Sequence, residues 1–394
     1  MDRYETVEPS ARAEPSPVTV ALAGFAALAI AMGIGRFAFT PILPLMREDA
    51  ALSVAAGGWL AAANYLGYLL GALAALRWRV RPSVALRSGL VAIALATLAM
   101  GVEQRFAGWI ALRFAAGVAS AWVLIFVSAS TLARLAASGR PRLSAVVFAG
   151  VGGGIALAGF ACLGLSGAHA GSAAAWIVLG AAALVATAVV WPVFGANGEA
   201  RRASAPTPEF RWNADAAKLV ACYGAFGFGY IVPATFLPAM ARAQIADPGV
   251  FGWVWPVFGT AAAASTFAAA VWLKHANARR PWALCHVAMA LGVLLPLASG
   301  GLLGLTFSAL LVGGTFMVIT MLAMQEAQRL AGAAGAALMA AMTSAFAAGQ
   351  MAGPILFSLV SSGDDDFSFT LAVAAAVLLA AAAALILPSK ERPK

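Results

Sequence analysis

The chain has little charge, and acid is the scarcer sign. Of its 394 residues only 10% are charged, and Asp and Glu together number 16. A soluble domain carries about 25% charged residues. This supply cannot cover a water-facing surface of that size, which excludes a cytosolic globular enzyme. Cysteine and histidine are rarer still, at three each. Cys162, Cys222 and Cys285 all lie in apolar runs, a placement that speaks against a disulfide framework and against a metal site. No G-x-x-x-x-G-K-[ST] segment occurs, so ATP is not the expected energy source. Nor is there the His/Asp/Glu cluster that an intramembrane transferase would need at one membrane face. The chain is read as a non-enzyme with no cofactor and no metal.

What is abundant is apolar. Hydrophobic residues make up 62% of the chain, and 40 glycines come in addition. A membrane-spanning helix needs about 20 mostly apolar residues, because in lipid every backbone polar group must be satisfied within the helix. Stretches of this kind fall at 18–45, 56–76, 83–101, 107–133, 142–165 and 172–194. A second set follows at 215–241, 250–273, 281–299, 302–326, 336–360 and 367–387. The expected fold class is therefore an all-α membrane protein with twelve transmembrane helices in two six-helix bundles, 18–194 and 215–388. Segment 1–17 is polar and Pro-rich and is read as a disordered cytoplasmic tail, not a secretory signal. Segment 195–214 is the expected cytoplasmic linker, and 389–394 a short cytoplasmic tail.

The net charge of +9 suggests a basic surface until its placement is examined. With the N-terminus cytoplasmic, 20 of the 25 Lys and Arg residues fall in cytoplasmic segments and three (Arg47, Arg105, Arg242) in external loops. The excess thus orients the chain, both termini inside, and no nucleic-acid partner is expected. The other two, Arg36 and Arg113, lie within the first and fourth spans.

The two halves repeat. GIGRFAFTPILPLM (Gly33 to Met46) and GFGYIVPATFLPAM (Gly227 to Met240) superpose at an offset of 194. Gly33 then meets Gly227, Gly35 meets Gly229, and Leu43, Pro44 and Met46 meet Leu237, Pro238 and Met240. The same offset lays Gly58-Trp59 on Gly252-Trp253. Parallel repeats of this kind hold substrate near the midplane, between the halves.

With these features the chain resembles the major facilitator superfamily. The segments GIGRFAFTPILPLM and AAANYLGYLLGAL (Ala61 to Leu73) resemble its YbfB/YjiJ-type branch. The family's loop after span two usually opens G-x-L-A-D-R-x-G-R. Gly71-Ala-Leu-Ala matches it, but Ala75, Leu76 and Trp78 replace the Asp, Arg and Gly, which weakens any Asp-based cytoplasmic latch. The span-four R-x-x-x-G survives as Arg113 to Gly117. Span five has Gly150-Val-Gly-Gly-Gly154 without the proline of drug:proton antiporters. The resemblance implies a transporter of a bacterial inner membrane, working by alternating access.

An ionisable side chain inside a membrane is costly and normally faces a cavity. At 1.5 Å per residue, Arg36 lies about 27 Å along the first span and Arg113 about 9 Å from the outer end of the fourth. The sequence offers no acid at that depth, so two guanidiniums are expected to hold a small anionic or zwitterionic solute. The competing reading has them bond carbonyls freed near Pro41 and Pro44. Arg113, Gly117 and Ser120 share a helix face, as do Ser308, Val312 and Thr315 at an offset of 195. Tyr230 takes the place of Arg36 in the second half, and Thr40 lies one turn beyond Arg36. Asn64 and Tyr68, one turn apart in span two, add a polar patch; Asn64 and Gln350 are read as interhelical bonds before ligand contacts. The expected substrate-binding set is Arg36, Arg113, Tyr230, Thr40, Ser120, Asn64, Tyr68 and Thr315.

Glu326 is the candidate for proton coupling, set against a plain i,i+3 pair with Arg329. His286 is read as a packed core residue. Coupled protons or a counter-transported anion are the possible co-partners, and a monomer in a lipid bilayer is expected. Two alternatives remain at this point: an exporter of amphiphilic or cationic compounds, and a non-transporting sensor built on a transporter fold.

Overall fold

The computed structural model describes residues 15–78, 80–195, 210–244, 253–272, 278–299, 302–360 and 368–387. Most of both expected tails, most of the linker (196–209) and the acidic run Asp364–Asp366 lie outside the described residues. Among the described residues every regular element is helical.

The first rod is composite: α1 (Pro17–Leu28), a π-helical segment (Ala29–Phe37) and α2 (Phe39–Asp49). Five helices complete the first half: α3 (Val54–Arg77), α4 (Pro82–Met100), α5 (Phe106–Ala137), α6 (Ser144–Gly167) and α7 (Ser172–Val190). The second half holds α8 (Ala214–Gln244), α9 (Val254–Trp272), α10 (Arg279–Ala298), α11 (Leu302–Ala331), α12 (Gly335–Val360) and α13 (Ser368–Ile386).

Local chemistry explains where the rods begin. Ser16 Oγ accepts from the Thr19 N–H at 3.1 Å and Ser53 Oγ from the Ala56 N–H at 3.1 Å. Asn213 Oδ1 accepts from the Ala216 N–H at 2.8 Å. Each supplies an acceptor to a first-turn amide that has no helical partner. Proline opens α1 and α4, where its missing N–H costs nothing.

Nine stretches among the described residues are long and apolar enough to cross a membrane. The outer surface is of the matching kind: Leu66, Leu70 and Leu73 of α3 and Val185 and Val189 of α7 are exposed. Large apolar side chains in continuous outward rows suit hydrocarbon, and would be a liability in water.

The repeat noted in the sequence recurs in the packing. In the first half α3 lies against α5, the first rod against α6, and α4 against α7. In the second half α9 lies against α11, α8 against α12, and α10 against α13. The halves meet along α6 and α9 and along α3 and α12. At the first of these seams a Cβ on Gly152 would lie 2.4 Å from the Ala263 nitrogen, so only glycine admits this approach. One face of the bundle gathers Arg87, Arg134, Lys218, Arg279 and Arg329, with Arg87 donating to the Trp191 carbonyl and Lys218 to the Leu387 carbonyl. On this basic face Gln325 Nε2 donates to Ser144 Oγ at 2.8 Å, tying α11 to α6 across the halves. On the opposite face Asp49 accepts from the hydroxyl of Ser172 at 2.9 Å.

Candidate solute site

The site begins with the wide turns of the first rod. Gly33 and Gly35 sit in the π-helical segment, and a Cβ on Gly33 would come within 2.4 Å of Gly154 Cα. This contact seats the segment directly on the α6 backbone. Wide turns of this kind are rare and are found most often at functional sites, and inside a membrane backbone carbonyls need partners within the protein. Side chains of α5 supply them. Ser120 Oγ donates to the Ala31 carbonyl at 2.7 Å. Arg113 Nη1 donates to the Gly35 carbonyl at 3.1 Å and its Nη2 to the Arg36 carbonyl at 3.2 Å. The Phe39 ring covers the Arg113 guanidinium at 4.7 Å, and Asn64 Nδ2 donates to the Arg113 carbonyl at 2.9 Å. Ser120, Arg113 and Asn64 thus form one connected brace that joins α3, α5 and the π-helical segment.

Arg36 is set up differently. It is 2% exposed, and its Nη2 donates to Oε1 of Gln350, which comes from α12 in the other half. Its guanidinium lies over the Tyr68 ring at 3.9 Å, with the rings of Tyr65, Phe37 and Phe346 at 5.4, 5.6 and 6.0 Å. Among the described residues Arg36 Nε and Nη1, Gln350 Nε2 and the Tyr68 hydroxyl are buried without a hydrogen-bond partner. No carboxylate among the described residues pairs with either arginine. Buried polar groups are satisfied in the great majority of cases, so four orphans around one guanidinium mark an unfilled requirement for an acceptor.

The second half offers a wall of rings to this point. The Phe37 ring meets Phe316 edge-on at 5.8 Å, and Phe316 stacks on Tyr230 at 4.2 Å and 15°. Phe226 lies 5.8 Å from Phe316 and 5.1 Å from Phe346. Tyr230 is buried in this wall. Thr315 donates back to the Leu311 carbonyl of its own helix at 2.6 Å. Thr40 is half-buried at the start of α2. His286 accepts from Trp282 Nε1 at 3.3 Å and packs 6.2 Å from Phe226.

Glu326 lies at the basic face, away from the two deep arginines. Its buried carboxylate takes Arg279 Nε at 2.7 Å and Arg329 Nε at 2.8 Å. Arg279 also forks onto Asp215, at 2.9 and 2.5 Å. The Arg329 pair expected from the spacing is present, as one edge of a larger network that ties α8, α10 and α11. Sequence reasoning did not find Asp215 and Arg279. The available signal was an acid in the first turn of a span, facing a basic helix start.

The arrangement matches a known architecture. Residues 28–386 match the family described as "Uncharacterised MFS-type transporter YbfB". The chain belongs to this YbfB-type family of major facilitator transporters. It is therefore a multi-pass membrane protein with a membrane transporter's fold. Among relatives, the "Uncharacterized MFS-type transporter YceJ" of Bacillus subtilis (strain 168) is 32% identical over 101 residues. That match spans 25% of this chain and 26% of the relative. Among solved structures, the human organic anion transporter MFSD10 (TETRAN) superposes with a TM-score of 0.70 at 14% identity. It covers 94% of this chain and 100% of the human one, which shows the shared fold. In this YbfB-type chain the residues missing from the sequence reading of the site are Phe37, Tyr65, Phe226, Phe316 and Phe346. Neighbours of a buried charge were the only hint, and Phe37 and Tyr65 do adjoin Arg36 and Asn64 in sequence.

Proposed function

We propose that the chain is a secondary transporter of a bacterial inner membrane, moving a small anionic or zwitterionic organic solute by alternating access. In this reading it makes twelve passes with both termini cytoplasmic, and the basic face described above is the cytoplasmic one. The solute's anionic head is held at Arg36. One observation carries the reading: Arg36 is buried, has no carboxylate partner among the described residues, and keeps two donors unused. Guanidinium forks bind carboxylates bidentately, and a charge at this depth is otherwise an unrecovered cost. Arg113 supports from behind, holding the segment that presents Arg36. The human fold neighbour is named an organic anion transporter, so this architecture accommodates cargo of that charge.

The test is ligand-dependent thermal stabilisation of the purified chain by carboxylates, sugar acids and amino acids. Anions are expected to raise the unfolding midpoint of the wild type and to leave Arg36→Met unmoved. A rise that persists undiminished in Arg36→Met removes the anion site. Stabilisation by hydrophobic cations instead would favour an exporter of amphiphiles.

A further inference from the structure

We infer that the solute held at Arg36 is a monocarboxylate with an apolar, planar body, an aromatic acid being the best fit. This rests on the reading of Arg36 as the holder of an anionic head, and adds what that head is attached to. The number of heads follows from the donors. Two guanidiniums lie close together, but both Nη atoms of Arg113 are spent on the Gly35 and Arg36 carbonyls. Among the described residues Arg113 keeps a single unused atom, Nε, while Arg36 presents two adjacent ones, Nε and Nη1, with Gln350 Nε2 and the Tyr68 hydroxyl beside them. That donor set satisfies one carboxylate. A second carboxylate would be buried without a partner of its own, which is strongly unfavourable.

The body follows from what surrounds the fork. Four rings lie within 6.0 Å of the guanidinium carbon, and Phe316, Tyr230 and Phe226 extend the wall into the second half. Planar apolar bodies gain from ring contact. A polyol needs several free hydrogen-bonding groups, and the serine and threonine hydroxyls of these helices already donate to backbone carbonyls. Ser120 serves the Ala31 carbonyl, Thr315 serves Leu311, and Thr320 donates to Phe316. A sugar acid would leave its hydroxyls unsatisfied against phenyl faces.

The experiment is isothermal titration of the full chain in detergent with benzoate, cyclohexanecarboxylate, gluconate, succinate, inorganic phosphate and benzylamine. Benzoate is expected to bind about tenfold or more tightly than gluconate or succinate, the contribution of one buried ring. Cyclohexanecarboxylate falls between, and phosphate and benzylamine give no measurable heat. Phe316→Leu should shrink the benzoate advantage while keeping the requirement for an anion, and Arg36→Met should abolish binding. If gluconate, succinate or phosphate equals benzoate and still requires Arg36, the anion site stands and this inference is overturned. If no anion binds in an Arg36-dependent way, or benzylamine binds best, the anion-site reading falls and this inference with it. The ligand series uses the wild type, so the outcome does not depend on a variant that folds.

Discussion

Two regions of this molecule bury charge in opposite ways. At the basic face Glu326 stands between Arg279 and Arg329, and Arg279 forks onto Asp215, so two acids answer two bases. Deep in the first half Arg36 and Arg113 have no acid among the described residues. The first region is closed: every charge has its counterpart, on its own helix for Arg329 and across helices for Arg279, and the product is a tie among three helices. The second is half closed. Arg113 has been converted into scaffolding by two backbone carbonyls, while Arg36 keeps an open valence for something the chain does not carry. The difference separates charge that holds a fold together from charge that is held by a fold for use.

The largest effect should come from opening the closed region. Glu326→Gln leaves two guanidiniums against a neutral amide, and removing one partner of a buried pair costs about 3–5 kcal/mol. A marked fall in the thermal unfolding midpoint of purified protein is expected. Arg113→Ala comes next. It strands the Gly35 and Arg36 carbonyls, at about 1–3 kcal/mol for a buried group left unsatisfied. It should also weaken anion binding in titration, since the wide turns that aim Arg36 relax. Ser120→Ala strands one carbonyl and removes one hydrogen bond, about 1 kcal/mol, visible as a small midpoint shift with binding retained. The smallest effect on stability is expected from Arg36→Met. Relief of an uncompensated buried charge offsets the loss of its bond to Gln350, so its midpoint should stay close to the wild type while anion binding disappears. A midpoint for Arg36→Met as low as that for Arg113→Ala would erase the distinction between the two arginines.

The all-helical membrane character was legible because lipid imposes one rule on every residue of a span. That rule survives translation into composition. Arg36 and Arg113 could be picked out because charge inside a span is rare enough to need a reason. Which of them is spent on the backbone was not legible. That depends on carbonyl directions in the π-helical segment, and no side-chain pattern encodes them. Gln350 was read as a bond between helices, and it is one; its partner lies 314 residues away, beyond the reach of any spacing rule. The aromatic wall was missed for a related reason. Tyr230 was picked out by the repeat, but Phe226, Phe316 and Phe346 look like ordinary core residues in their own spans, and become a surface for Arg36 only when the halves meet. The Asp215–Arg279 pair went unseen because Arg279 had been accounted for as an orientation signal.

The wide turns at Ala29–Phe37 also carry a consequence for chain length. An α-helix advances its side chains by about 100° per residue, and a wider turn admits an extra residue over nearly the same rise. Everything after the segment is therefore out of phase with what precedes it, when measured by an α-helical ruler. With the wide turns retained, losing a single residue ahead of Arg36, even one as featureless as Ala29, would move Arg36 into the place of Gly35, about 100° around the axis. The guanidinium would leave the rings of Tyr68 and Phe346 and point elsewhere. The number of residues in this stretch is thus as much a determinant of the site as the arginine itself.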